Sequence, residues 1–150
     1  MYAKILVPVD GSSTANQALD EAIKLAKALG STIEVLHVID NSHLFYDTGI
    51  SAAADVHGTV VDAGKTILEQ AGSRVTSAGL RSETRMVEDP VAPGDIPGTI
   101  LKAAMDSKAE LVVIGSHGRT GFRKLVLSSV AEKVMHQCPL PVWIIRGKEG

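Results

Sequence analysis

The segment KILVPVDGSSTANQALDEAIKLAKALGSTIEVLHVI, residues 4–39, decides the fold. Lys4-Ile5-Leu6-Val7-Pro8-Val9 is short, β-branched and apolar at nearly every position, which is how a strand buried on both faces reads. Asp10-Gly11-Ser12 stops it with a turn signal. From Thr14 to Leu29 apolar residues recur at helical spacing: Ala15, Ala18, Leu19, Ala22, Ile23, Ala26 and Leu29. Ser13 or Thr14 is placed to cap the start, and Gly30 stands where helices commonly end on glycine. Thr32 to Ile39 is a second strand, closed by Asp40. Strand, helix and strand in so short a span make one βαβ unit, for which a right-handed parallel crossover is the default.

Working outward, the same alternation continues. Asn41 to His57 has no clear period and is long for a connection, the mark of a functional lid or a disordered segment. It holds Phe45 and Tyr46 in a chain poor in aromatic residues. Thr59 to Ala78 returns to helical spacing, weakened by Gly64 and Gly72. Leu80 to Val87 alternates with Arg81, Glu83 and Arg85, which suits an edge strand. After a proline-rich turn, Asp95 opens a helix from about Ile96 to Ser107. Leu111 to Ile114 is a fourth strand, Ser129 to Gln137 a helix stopped by Cys138-Pro139-Leu140-Pro141, and Val142 to Arg146 a last strand. Five strands alternating with four helices predict an α/β fold: one open, mostly parallel, doubly wound, Rossmann-like sheet in a single domain over residues 1–150.

Composition narrows the function classes. The chain of 150 residues is 45% hydrophobic but only 3% aromatic, so aliphatic side chains must fill the core. A net charge of −2 argues against a dedicated nucleic-acid or membrane-surface binder. No apolar run approaches the roughly 20 residues of a membrane span, and the start lacks a signal-peptide pattern; a cytoplasmic protein is expected. The single cysteine, Cys138, excludes an internal disulfide and a multi-cysteine metal site. His37 and His136 have no partner at metal-ligand spacing, so a protein-ligated metal is not expected.

Chemistry concentrates in ELVVIGSHGRTGFRKLVLSSVAEKV, residues 110–134. An apolar strand ends at Gly115, a polar loop carries Gly118 and Gly121, and a helix starts near Ser128-Ser129. Such a sequence can cradle a phosphate, because amides at a helix start point at an anion and glycines permit close approach. It is neither a strict P-loop nor GxGxxG, and an ordinary turn into a helix is the competing reading. In open α/β sheets ligands bind beyond the carboxyl ends of strands where the winding reverses. If strands one and four are neighbours, Asp10 and this loop flank one crevice, with carboxylate for sugar hydroxyls on one side and amides for phosphate on the other. Asp10 as a plain turn former is the rival. His117 can hydrogen-bond a phosphate, and Arg119, Arg123 and Lys124 can neutralise its charge; a surface histidine and a solvated basic loop are the alternatives. Ser129-x-x-Glu132 also reads as a capping box.

KILVPVDGS at the start, HVID at the second strand end, GSHGRTG after ELVVI, then LSSVAEKV and the closing CPLPVWIIR resemble the universal stress protein family over essentially the whole chain. The resemblance implies strand order 3-2-1-4-5 and a homodimer through the last strand, Val142 to Ile145. It also implies an adenine-nucleotide site of the pattern Gly-x-x-Gly, nine residues, then Gly with Ser or Thr. By that pattern Pro8, Val9, Asp10 and Val38 border adenine and ribose. Ile114, Gly115 and Gly118, with Ser128, Ser129 and Val130, hold ribose and phosphates, and His117 and Arg119 lie on the phosphate side. The ligand the resemblance implies is ATP, with any magnesium carried on its phosphates. The sequence departs once: Ser128 stands where the pattern has glycine, so a Cβ could crowd the phosphates or a glycine-only dihedral could be denied. The resulting expectation is a stress-response sensor or regulatory module that binds ATP and is not an enzyme. Its alternatives are a dimeric interaction module that has lost ATP through Ser128 and, more remotely, a nucleotide-dependent enzyme.

Overall fold

A computed structural model describes residues 1–40, 50–88, 95–117 and 127–147, with the backbone alone for residues 50–56. In chain order the elements are β1 (Lys4–Pro8), α1 (Ser13–Leu29), β2 (Thr32–Val38), α2 (Ile50–Ser77), β3 (Ser82–Val87), α3 (Ile96–Asp106), β4 (Leu111–Gly115), α4 (Ser129–Gln137) and β5 (Val142–Ile145). The five strands form one sheet in the order β3-β2-β1-β4-β5, parallel at every pairing, as the resemblance implied.

The continuous apolar runs of β1, β2 and β4 are explained by helices on both faces. Ile5, Val7 and Val9 join Ile33 and Val35 in packing against α1, through Ala15, Ala18, Leu19 and Ala22, and against Leu68, Ala71 and Val75 of α2. The alternate positions Leu6, Leu36, Val38, Val112 and Ile114 pack on Ile100, Ala103 and Ala104 of α3 and on Val134 of α4. Alanines on the inner faces let helix and sheet come close, while leucine and valine fill the rest. Burying Leu19 completely contributes about 1.5–3 kcal/mol. On β3 the charges have partners as well as an edge position. Glu34, 3% exposed on the neighbouring β2, is reached by Arg85 Nε at 3.4 Å and by Lys4 Nζ at 4.0 Å, and Lys4 also meets Glu83 at 3.2 Å.

Three local expectations are corrected. Helix α2 begins at Ile50, so the expected loop of residues 41–57 is helical over its last part. Ser51-Ala52-Ala53-Ala54 shows no amphipathic stripe, yet alanine has the highest helix propensity and needs none. Residues 41–49, with Phe45 and Tyr46, lie outside the described residues. The cap of α1 is Ser12 rather than Ser13 or Thr14: its hydroxyl accepts from the Ala15 amide at 3.2 Å. Strand β3 starts at Ser82, because Gly79 (φ 83°) and the bond from Leu80 N to Val75 O still belong to the end of α2. Gly30 (φ 73°) closes α1 and Asp95 caps α3 through Gly98 N at 3.0 Å, both as expected.

Candidate functional site

The chain leaves β1 toward β2 and β3, then crosses back to β4 and β5, so its winding reverses between β1 and β4. These two strands are direct neighbours, with Ile5 beside Leu111 and Leu6 beside Val112. Their carboxyl ends carry Pro8, Val9 and Asp10 on one side and Gly115, Ser116 and His117 on the other. Sequence reasoning placed its candidates at this switch point, and the strand order brings the two groups to the same end of the sheet.

On the β1 side, Asp10 is held in a turn. Its Oδ1 accepts from the Ser12 amide at 2.9 Å, and Gly11 at φ 84° supplies the left-handed residue the turn requires. Ser12 then caps α1. The turn-forming reading of Asp10 is therefore realised, and the turn holds its carboxylate just beyond the carboxyl end of β1. Val38 and Ile114, 9% and 5% exposed, belong to the core between the sheet and α3.

On the β4 side, two residues have roles the sequence did not reveal. A Cβ on Gly115 would lie 2.8 Å from Thr14 Cγ2 and 3.0 Å from the Thr14 backbone carbon and oxygen. Close approach is needed there, but the first turn of α1 already demands it without any ligand. Ser116, 2% exposed, joins three elements. Its amide donates to Ile145 O on β5 at 2.8 Å, its carbonyl accepts from Ser128 N at 2.8 Å, and its hydroxyl lies 2.8 Å from His117 Nδ1. Those bonds bring the start of α4 against the end of β4. Gly118 and Arg119, with Gly121, Arg123 and Lys124, lie outside the described residues.

The cap of α4 is Ser128, one residue before the Ser129 of the expected capping box. Ser128 Oγ accepts from Ala131 N at 3.0 Å, and Ser129 and Val130 are the first two helical residues. Position 128 has φ −61° and ψ 157°, an extended conformation open to any residue. The backbone half of the objection to serine at this position is thereby removed, since no glycine-only dihedral is required. The amides at the start of α4 have no acceptors within the helix and carry the positive end of its dipole.

Elsewhere, Asp106 on α3 has its carboxyl held below the ordinary carboxylate range by a hydrogen bond from Lys102, Nζ to Oδ2 2.8 Å, and by that ammonium's charge. No group of three or more His, Cys, Asp or Glu able to hold a metal comes together among the described residues. No helix among them is long and apolar enough to cross a membrane.

Comparison with known proteins agrees with this arrangement. The model of the universal stress protein family matches residues 1–146. Universal stress protein YxiE of Bacillus subtilis is 33% identical over 97% of this chain and the whole of that protein. The solved structure of MJ0577, from Methanocaldococcus jannaschii, superposes with a TM-score of 0.87 at 26% identity, covering 100% of this chain and 99% of the other. A universal stress protein from Archaeoglobus fulgidus, solved in complex with dAMP, superposes with a TM-score of 0.69 at 26% identity over 96% of this chain and 98% of that one. A family match over nearly the full length, joined to the same strand order and switch point, leaves one conclusion: the chain belongs to the universal stress protein family.

Proposed function

We propose that this protein binds an adenine nucleotide, ATP, in the crevice between the carboxyl ends of β1 and β4, and acts as a sensor or regulatory module in the stress response. The observation that carries the reading is the pairing across that crevice of a fixed carboxylate, Asp10, with the amide-rich start of α4 behind Ser128. The dAMP complex of the Archaeoglobus relative supports the ligand class. In this reading Pro8, Val9, Asp10 and Val38 border adenine and ribose, with Asp10 accepting from ribose hydroxyls. Ile114, Gly115 and Gly118 continue the wall toward the phosphates, where Ser128, Ser129 and Val130 offer amides and hydroxyls. His117 and Arg119 supply donors to the phosphates. A magnesium ion would ride on the phosphates, for which the chain needs no ligand cage of its own. No catalytic residue is assigned: the carboxylate at hand is committed to the ribose side, so the site grips rather than hydrolyses. The protein is read as a cytoplasmic homodimer joined through β5.

Titration calorimetry of the purified protein with MgATP tests the ligand. Saturable heat should appear, and ATP at about a hundred times its Kd should stabilise the fold by about 2.7 kcal/mol in a thermal melt. Asp10→Ala should weaken binding with the fold intact. An absence of both heat and melting shift at millimolar ATP would overturn the proposal.

A further inference from the structure

A buried polar side chain is costly unless it is hydrogen-bonded, and its partner shows what it is for. His37, on β2, is 7% exposed. Its Nδ1 lies 2.7 Å from the carbonyl oxygen of Val9. A carbonyl only accepts, so the ring carries a proton on Nδ1 and donates it there. Val9 lies one residue beyond the end of β1, past the last paired position, Pro8 with Leu36. Its own amide donates to Leu36 O at 2.8 Å. The His37 ring thus extends the β1–β2 ladder by one link, gripping the Val9–Asp10 peptide group where backbone pairing has stopped.

The rest of the ring is housed as carefully as its nitrogen. A Cβ on Gly64 of α2 would lie 2.8 Å from His37 Cδ2, 3.1 Å from Nε2 and 2.9 Å from Ile39 Cδ1. A glycine in the interior of a helix is unfavourable, and here it clears a slot for the imidazole. An apolar side chain could fill that slot and satisfy the core. It would leave the Val9 carbonyl without this donor.

We propose that His37 is a positioning residue for the candidate site: by holding the Val9 carbonyl it sets the orientation of the Asp10 turn toward a ribose. This role deepens the nucleotide reading above and rests on it for its ligand. The chain of contact runs from His37 to Val9 O, through the planar peptide to Asp10, and from Asp10 Oδ1 to the Ser12 amide.

Three variants test it in the full-length protein. His37→Leu fills the slot without a donor. His37→Asn puts an amide nitrogen near the position of Nδ1. His37→Gln keeps a donor but moves it one bond outward, and replaces the leucine variant if that one fails to fold. Without nucleotide, amide exchange at Ser12 followed by NMR should quicken about tenfold in His37→Leu or His37→Gln and stay within about threefold of wild type in His37→Asn. Core amides such as that of Val112 should not change; a general loosening of the sheet would move them too, and would overturn a local positioning role. With MgATP, His37→Leu and His37→Gln should raise Kd about tenfold and His37→Asn should keep it near the wild-type value. Unchanged exchange at Ser12 would overturn the positioning role whether or not ATP binds. Faster exchange with an unchanged Kd would overturn its link to the ligand. A wild-type protein that gives no heat with MgATP would sink the nucleotide reading instead, and the exchange measurement would still decide what His37 does.

Discussion

Ser128 performs two tasks at the start of α4. Its hydroxyl satisfies the Ala131 amide, and its own amide ties the helix to Ser116. The first task depends on the side chain and the second does not. Ser128→Ala should therefore cost about 1 kcal/mol in a urea titration, whereas Ser128→Gly should cost only a few tenths, because glycine is itself a tolerable N-cap. A glycine variant less stable than the alanine variant would contradict the cap seen here. The sequence could not have singled out this residue: Ser128 and Ser129 are chemically identical candidates, and the choice depends on where the backbone turns helical. The same ambiguity at Ser12, Ser13 and Thr14 displaced the predicted cap of α1 by a residue. Ser116 and His37 were illegible for another reason. Each is defined by bonds to residues distant in sequence (Ser128 and Ile145 for one, Val9 for the other), and no local pattern announces them.

Elements with an apolar stripe were readable, and those without one were not. Strands β1 and β4 are mainly aliphatic runs, and β2 is one broken by Glu34 and His37, because helices cover both faces; α1 has a clean stripe and a glycine stop. The first turns of α2 rest on alanine propensity instead, so periodicity missed them. Gly64 in that helix sets two principles against each other. Helix propensity alone makes Gly64→Ala stabilising by about 1 kcal/mol. Crowding against the rings and methyls of His37 and Ile39 opposes this, since overpacking typically costs about 1–3 kcal/mol. The contacts with His37 Cδ2 and Ile39 Cδ1 are under 3.0 Å and both side chains are already buried, so crowding should win and the melting temperature should fall. A rise would show that the slot is roomier than the geometry implies.

At the scale of the whole molecule, the order 3-2-1-4-5 leaves β3 and β5 at the two edges, and they are finished differently. Edge β3 carries Glu83 and Arg85, engaged with Lys4 and Glu34, which discourages further pairing. Edge β5 has no charge within Val142–Ile145 and shows Trp143 at 39% exposure. The proposed dimer uses the second edge. Trp143→Glu should shift the protein from dimer to monomer in sedimentation experiments while leaving the helical circular dichroism unchanged; a variant that still sediments as a dimer would place the contact elsewhere. The strand pattern and the switch point between β1 and β4 were legible because they follow from alternating elements and from where the winding turns back. The bonds made by Ser116 and His37 were not, because they join residues that no local pattern links. One of those bonds has a consequence for how the molecule can change. The 2.8 Å bond from Ser128 N to Ser116 O closes a loop of chain between the end of β4 and the start of α4. Lengthening such a segment adds closure entropy only logarithmically, about 0.6 kcal/mol per doubling. A change in the length of chain between Ser116 and Ser128 therefore costs little, and the bond that joins the end of β4 to the start of α4 is kept.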